Sequence, residues 1–136
     1  MMKTKNFLIV DDDLDDQQFL IEALKEIDPS CQCYTTSNGE EAIIHLGNGS
    51  SPFPDVIFLD LNMPLMGGVE CLTIVKRIPL WQHIPVIIYS TSSNQKEIQR
   101  AIEKGASYFL VKKNSFKELY AELKSISFIA GPGSMY

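Results

Sequence analysis

Apolar residues fall along this chain in two kinds of stretch. Short unbroken runs, Phe7-Leu8-Ile9-Val10, Val56-Ile57-Phe58-Leu59, Val86-Ile87-Ile88-Tyr89 and 107–111, are each closed by polar or turn residues. Runs of this length predict strands buried on both faces, as in a parallel sheet covered by helices. Between them apolar residues recur at helical spacing. Leu14, Phe19, Leu20, Ala23, Leu24 and Ile27 predict a helix over 14–27, with Asp15 and Asp16 at the positive end of its dipole and Asp28-Pro29-Ser30 stopping it. Further helices are predicted over 40–46, ending at Gly47, over 69–78, over 95–104, ending at Gly105 as a C′ glycine, and over 115–128. Ser37 or Asn38 is placed to cap the second of these. The alternating stretch 31–36 is the remaining strand, and 48–54, rich in Gly, Ser and Pro, is a loop.

Strands and helices therefore alternate five times. With right-handed crossovers this predicts an α/β doubly wound parallel sheet of strand order 2-1-3-4-5, whose switch point lies between strands 1 and 3. No internal repeat or domain boundary interrupts 6–128. Residues 129–136, ending Gly131-Pro132-Gly133-Ser134-Met135-Tyr136, are expected to be a disordered tail.

The 136 residues suffice for one domain with a core, and the composition is that of a soluble globular protein, 45% hydrophobic and 21% charged. The net charge of −5 argues against DNA as the partner. No apolar run is long enough to span a membrane, and the N-terminus is no signal peptide. Cys31, Cys33 and Cys71 form neither a disulfide framework nor a metal motif, so reduced thiols in a cytoplasmic protein are expected.

In such a sheet, chemistry gathers where the strands leave the core. The residues there are Asp11, Asp12 and Asp13 after strand 1, Asp60 after strand 3, Ser90 after strand 4 and Lys112 after strand 5. Carboxylates brought together repel, and a hard divalent cation such as Mg²⁺, which prefers oxygen ligands, relieves the repulsion. Asp60 is then a candidate nucleophile toward a phosphoryl group. Lys112 and the Ser90 hydroxyl are candidate partners for the phosphoryl oxygens. Asp13, Asp15 and Asp16 read more simply as acids at a helix start, Lys113 as a solvated charge, and His45 and His83 as surface residues without a cluster around them.

Taken together, Val10-Asp11-Asp12-Asp13, Leu59-Asp60-Leu61-Asn62-Met63-Pro64 with Gly67-Gly68, Pro85-Val86-Ile87-Ile88-Tyr89-Ser90 and Val111-Lys112 resemble the receiver domain of bacterial two-component response regulators over 6–128. The resemblance implies a flavodoxin-like (βα)5 fold with Asp60 as phosphoacceptor. It implies Mg²⁺ bound by Asp11, Asp12, Asp60 and the backbone carbonyl of Asn62. Ser90 and Phe109 fall at the switch positions and Lys112 at the phosphate-binding lysine. The implied partners are a sensor histidine kinase or phosphotransfer protein, and a downstream protein or a second copy of the chain on the face of the fourth helix, fifth strand and fifth helix. A stand-alone signalling protein rather than an enzyme is expected, with no DNA or membrane binding. The family's lysine is usually followed by proline in a cis peptide; here Lys113 follows, so the peptide is either trans with an adjusted loop or strained. Two other readings stay open. One is a haloacid-dehalogenase-type phosphohydrolase, which would need an acid where Asn62 stands. The other is a receiver-like module that is never phosphorylated.

Overall fold

A computed structural model describes residues 4–49, 53–92 and 94–126. The elements are β1 (Asn6–Val10), α1 (Leu14–Ile27), β2 (Gln32–Thr36), α2 (Gly39–Asn48), β3 (Val56–Leu59), α3 (Gly68–Arg77), β4 (Val86–Ser90), α4 (Gln95–Glu103), β5 (Tyr108–Val111) and α5 (Phe116–Lys124). All strands are parallel, in the order β2-β1-β3-β4-β5. This is the flavodoxin-like doubly wound sheet that the alternation predicts.

The unbroken apolar runs are explained by the two faces of the sheet. Side chains alternate between them along each strand. Leu8, Val10, Ile57, Leu59, Val86 and Ile88 pack with Ala42 and Leu46 of α2, Leu72 and Val75 of α3 and Ala101 of α4. Phe7, Ile9, Val56, Phe58, Ile87 and Tyr89 pack with Leu20, Ala23 and Leu24 of α1 and Leu119 and Leu123 of α5. Both halves of each run are thus buried, and each large side chain contributes about 1.5–3 kcal/mol.

Several boundaries differ from the sequence expectation. Helix α2 does not stop at Gly47 but runs to Asn48. A glycine inside a helix costs only about 1 kcal/mol. The terminating glycine is Gly49, with φ 74° in the left-handed region. Strand β5 is not buried on both faces: it is the sheet edge, and of its four residues only Leu110 is fully buried. Helix α5 ends at Lys124 with Ser125 as its cap. The tail expected over 129–136 lies outside the described residues, as do 127 and 128. Asp55 stands before β3, and its carboxylate accepts from the Asn6 amide at 2.7 Å. Asn38, not Ser37, caps α2, accepting from the Glu41 amide at 2.9 Å. Gly105, with φ 113°, follows α4 as expected. Among the described residues no helix is long and apolar enough to cross a membrane.

Candidate functional site

Register decides which strand ends meet. Val10 pairs with Leu59, so Asp11 and Asp60 leave the sheet side by side. The Asp60 amide donates to the Val10 carbonyl at 3.0 Å, which carries the pairing one residue past the strand. Ser90 pairs with Val111, and the Lys112 amide donates to the Ser90 carbonyl at 2.8 Å. The four strand ends are thereby locked by backbone geometry before any side chain acts.

Onto this edge the chain places an acidic group. Carboxylate oxygens of Asp11, Asp12 and Asp60 lie within 4.8 Å of one another. Asp11 and Asp60 are buried, and Asp12 is exposed. Asp11 is held by its surroundings: its Oδ1 accepts from the Asp13 amide at 3.0 Å, and its carbonyl accepts from Gln17 Nε2. Asp60 Oδ1 accepts from the Asn62 amide at 3.3 Å. Asn62 is exposed and lies in the β3–α3 loop, two residues after Asp60.

One ammonium serves several acids. Lys112 Nζ lies 2.8 Å from Asp11 Oδ2, 2.8 Å from Asp16 Oδ2 and 3.4 Å from Asp60 Oδ2. Its stem is buried, and Nζ stands 5.5 Å from the centre of the Tyr89 ring. Burial alone would lower the Lys112 pKa, but its close pairing with the Asp11 and Asp16 carboxylates and the charge of Asp60 reverse this and hold it well above the ordinary lysine range. Asp11 moves the other way from a simple ion pair. Its burial raises the carboxyl pKa, aided by Asp60, despite Lys112 and the Asp13 amide. Asp11 Oδ2 is fully buried and makes no directed hydrogen bond, so its contact with Lys112 is a charge pair only. A buried carboxylate oxygen without a directed donor, beside two further carboxylates, fits a hard divalent cation with oxygen ligands.

The other predicted residues are close by. Ser90 is fully buried at the end of β4, and its hydroxyl accepts a long 3.4 Å bond from the Ser92 amide. Phe109 is half-buried, paired with Ile88 and packed against the core cluster of α2, α3 and α4. Phe109 and Ser90 sit on the same face of the sheet, because Ser90 follows Ile88 by two residues. Among the described residues every peptide is trans, the Lys112–Lys113 bond included. Lys113 points elsewhere, to Glu122 Oε1 at 3.0 Å on α5.

By sequence Asp13 and Asp16 are both expected to be plain helix-start acids. Asp13 is one: it caps α1, accepting from the Asp16 amide at 3.0 Å. Asp16 is not, because it reaches Lys112. The sequence did hold a signal for this. Asp16 lies four residues before Leu20 and seven before Ala23, on the stripe that α1 buries against the sheet.

A family model described as the response regulator receiver domain matches residues 7–124. The chain is 29% identical over 126 residues to the response regulator Rcp1 of Synechocystis sp., covering 90% of this chain and 86% of Rcp1. It is 34% identical over 119 residues to the two-component response regulator ARR5 of Arabidopsis thaliana, covering 81% of this chain but only 64% of ARR5. The crystal structure of the phosphorylated cyanobacterial phytochrome response regulator RcpA superposes with a TM-score of 0.84 at 29% identity, covering 92% of each chain. Rcp1 has also been crystallised with Mn²⁺ bound, and that structure superposes with a TM-score of 0.80 at 29% identity, covering 90% of this chain and 91% of Rcp1.

Proposed function

The chain belongs to the response regulator receiver domain family, which signals by phosphorylation, and from that premise we propose that Asp60 is its phosphoacceptor. The observation that carries this reading is the convergence of three carboxylates, Asp11, Asp12 and Asp60, with Lys112 Nζ 3.4 Å from Asp60. An Asp60 carboxylate oxygen attacks the phosphorus of a partner's phosphohistidine. The O–P bond forms as the N–P bond breaks, and the imidazole leaves with the bonding pair and takes up a proton. Asp11, Asp12, Asp60 and the backbone carbonyl of Asn62 would hold Mg²⁺, which would supply charge neutralisation for the phosphoryl oxygens. Lys112 donates to a second phosphoryl oxygen and Ser90 to a third.

The same contacts bias the switch. The Ser90 hydroxyl gives up its long bond with Ser92 for the phosphoryl group, and Phe109 repacks on the same face of the sheet. The downstream partner, another protein or a second copy, binds the face of α4, β5 and α5. Ile102 of α4 and Tyr108 of β5 are large apolar side chains exposed there. The phosphoryl donor is a sensor histidine kinase or phosphotransfer protein. At the rim of the site two leucines stand in solvent, Leu14 at 72% exposure and Leu65 at 80%, and suit contact with that donor.

The test is incubation with acetyl phosphate and Mg²⁺ followed by intact mass measurement. One phosphoryl adduct is expected on the wild type. None is expected on Asp60→Asn or after chelation of the metal. Equal labelling of Asp60→Asn would overturn the assignment, and steady turnover of simple phosphate esters would favour a phosphohydrolase instead.

A further inference from the structure

Among the described residues the carboxylates grouped within 4.8 Å are those of Asp11, Asp12 and Asp60, and Asp16 is not one of them. It is nonetheless one of the two shortest partners of Lys112, at 2.8 Å. We infer that Asp16 is the positioning residue for Lys112, holding its ammonium at the mouth of the site so that a phosphoryl group on Asp60 meets a donor already in place. This rests on the phosphoacceptor reading of Asp60.

Three observations carry it. First, the other short partner of Lys112 is Asp11 Oδ2, an atom with no directed hydrogen bond. A divalent cation on that oxygen would displace the ammonium from it, leaving Asp16 as the remaining short anchor. Second, Asp16 is itself fixed. Its amide donates to the capping Asp13 carboxylate, and the Asp13 amide donates to Asp11 Oδ1 at 3.0 Å. Leu20, Ala23 and Leu24 hold the rest of α1 against the sheet. Third, the neighbouring cation Lys113 pairs with Glu122 Oε1 on α5 at 3.0 Å, which leaves Asp16 to Lys112. A lysine stem is long and flexible, and ordering it in advance removes an entropic cost from the step that uses it.

Asp16 also adds negative charge near an incoming anion, which opposes phosphorylation. The two effects separate in a double-mutant cycle. Labelling by acetyl phosphate is compared at saturating Mg²⁺ in wild type, Asp16→Asn, Lys112→Ala and the double variant. Asp16→Asn is expected to slow labelling on the order of tenfold, the size of coupling common between contacting charged groups. In the Lys112→Ala background the same substitution is expected to cause no further loss. Asp16→Ala should behave as Asp16→Asn does. A second readout does not depend on phosphorylation: the ¹H–¹⁵N signal of the Lys112 ammonium should shift and broaden in Asp16→Asn while the backbone amides of α1 stay in place. Unchanged or faster labelling in Asp16→Asn, an equal loss in both backgrounds, or an unmoved ammonium signal overturns the inference. Failure of wild type to label at Asp60 overturns the phosphoacceptor reading instead, and the ammonium signal still decides whether Asp16 holds Lys112.

Discussion

Gly68 is folded back on the residue that follows Asp60: its amide donates to the Leu61 carbonyl at 3.0 Å. A β-carbon on Gly68 would lie 2.7 Å from Leu61 Cα and closer still to the Asp60 carbonyl oxygen. The β3–α3 loop is thus closed on itself with no room for a side chain, and its closure sets the direction in which Asp60 leaves the sheet.

Gly68→Ala is expected to destabilise the fold by about 1–3 kcal/mol, the ordinary cost of overpacking against backbone. The clash falls on the Asp60 carbonyl, so Mg²⁺ affinity should drop as well. Urea unfolding with and without Mg²⁺ measures both. Wild-type stability in Gly68→Ala would show that the loop has another conformation available.

Lys112→Ala leaves Asp11, Asp16 and Asp60 without their shared cation. In the metal-free protein a loss of about 2–3 kcal/mol is expected, below the 3–5 kcal/mol of a fully buried pair because Asp11 can take up a proton and Asp16 is partly solvated. Mg²⁺ should restore much of that loss, since a divalent cation relieves the same repulsion. Thermal unfolding across a Mg²⁺ titration checks this. A variant that gains no more than wild type from Mg²⁺ would contradict it.

Stability should fall on the alkaline side. Burial pushes the Cys33 and Cys71 thiols from an ordinary 9.0 up to about 12, and the Tyr89 hydroxyl from 10.0 up to about 12. These groups stay neutral in the fold while the unfolded chain ionises. Their contribution is therefore whole below pH 9 and is lost as the pH rises from 9 toward 12. Melting temperatures measured from pH 8 to pH 11 should decline, with a shallower decline in Cys71→Ala. In the native protein at pH 8, Cys71 should also resist alkylation.

Much of the candidate site was legible without coordinates because it is a consequence of strand ends. The apolar runs ending at Val10 and Leu59, once assigned to neighbouring parallel strands, bring Asp11 and Asp60 together with no free choice of side-chain conformation. The helix over 14–27 was legible for a similar reason, since its apolar spacing and its terminating Asp28-Pro29 are local signals. Gly47 misled because a glycine is only a weak helix stop. The difference between Gly47 and Gly49 is a backbone angle that residue type alone does not reveal. Strand β5 looked as apolar as the central strands because an edge strand can expose Tyr108 and leave Phe109 half-buried without ceasing to be a strand.

The sequence by itself determined the order of elements, the burial of β1, β3 and β4 in the core and the residues at the strands' carboxyl ends. These follow from periodicity and from the handedness of crossovers, which act over short stretches of chain. Only the tertiary structure decided how the charges are shared. Asp16 and Lys112 are 96 residues apart, and their pairing depends on how α1 settles beside the end of β5. It depends too on the direction taken by Lys113 toward α5. Long side chains choose partners by packing distance, and a distance between elements remote in sequence exists only once the sheet and its helices have closed around the core.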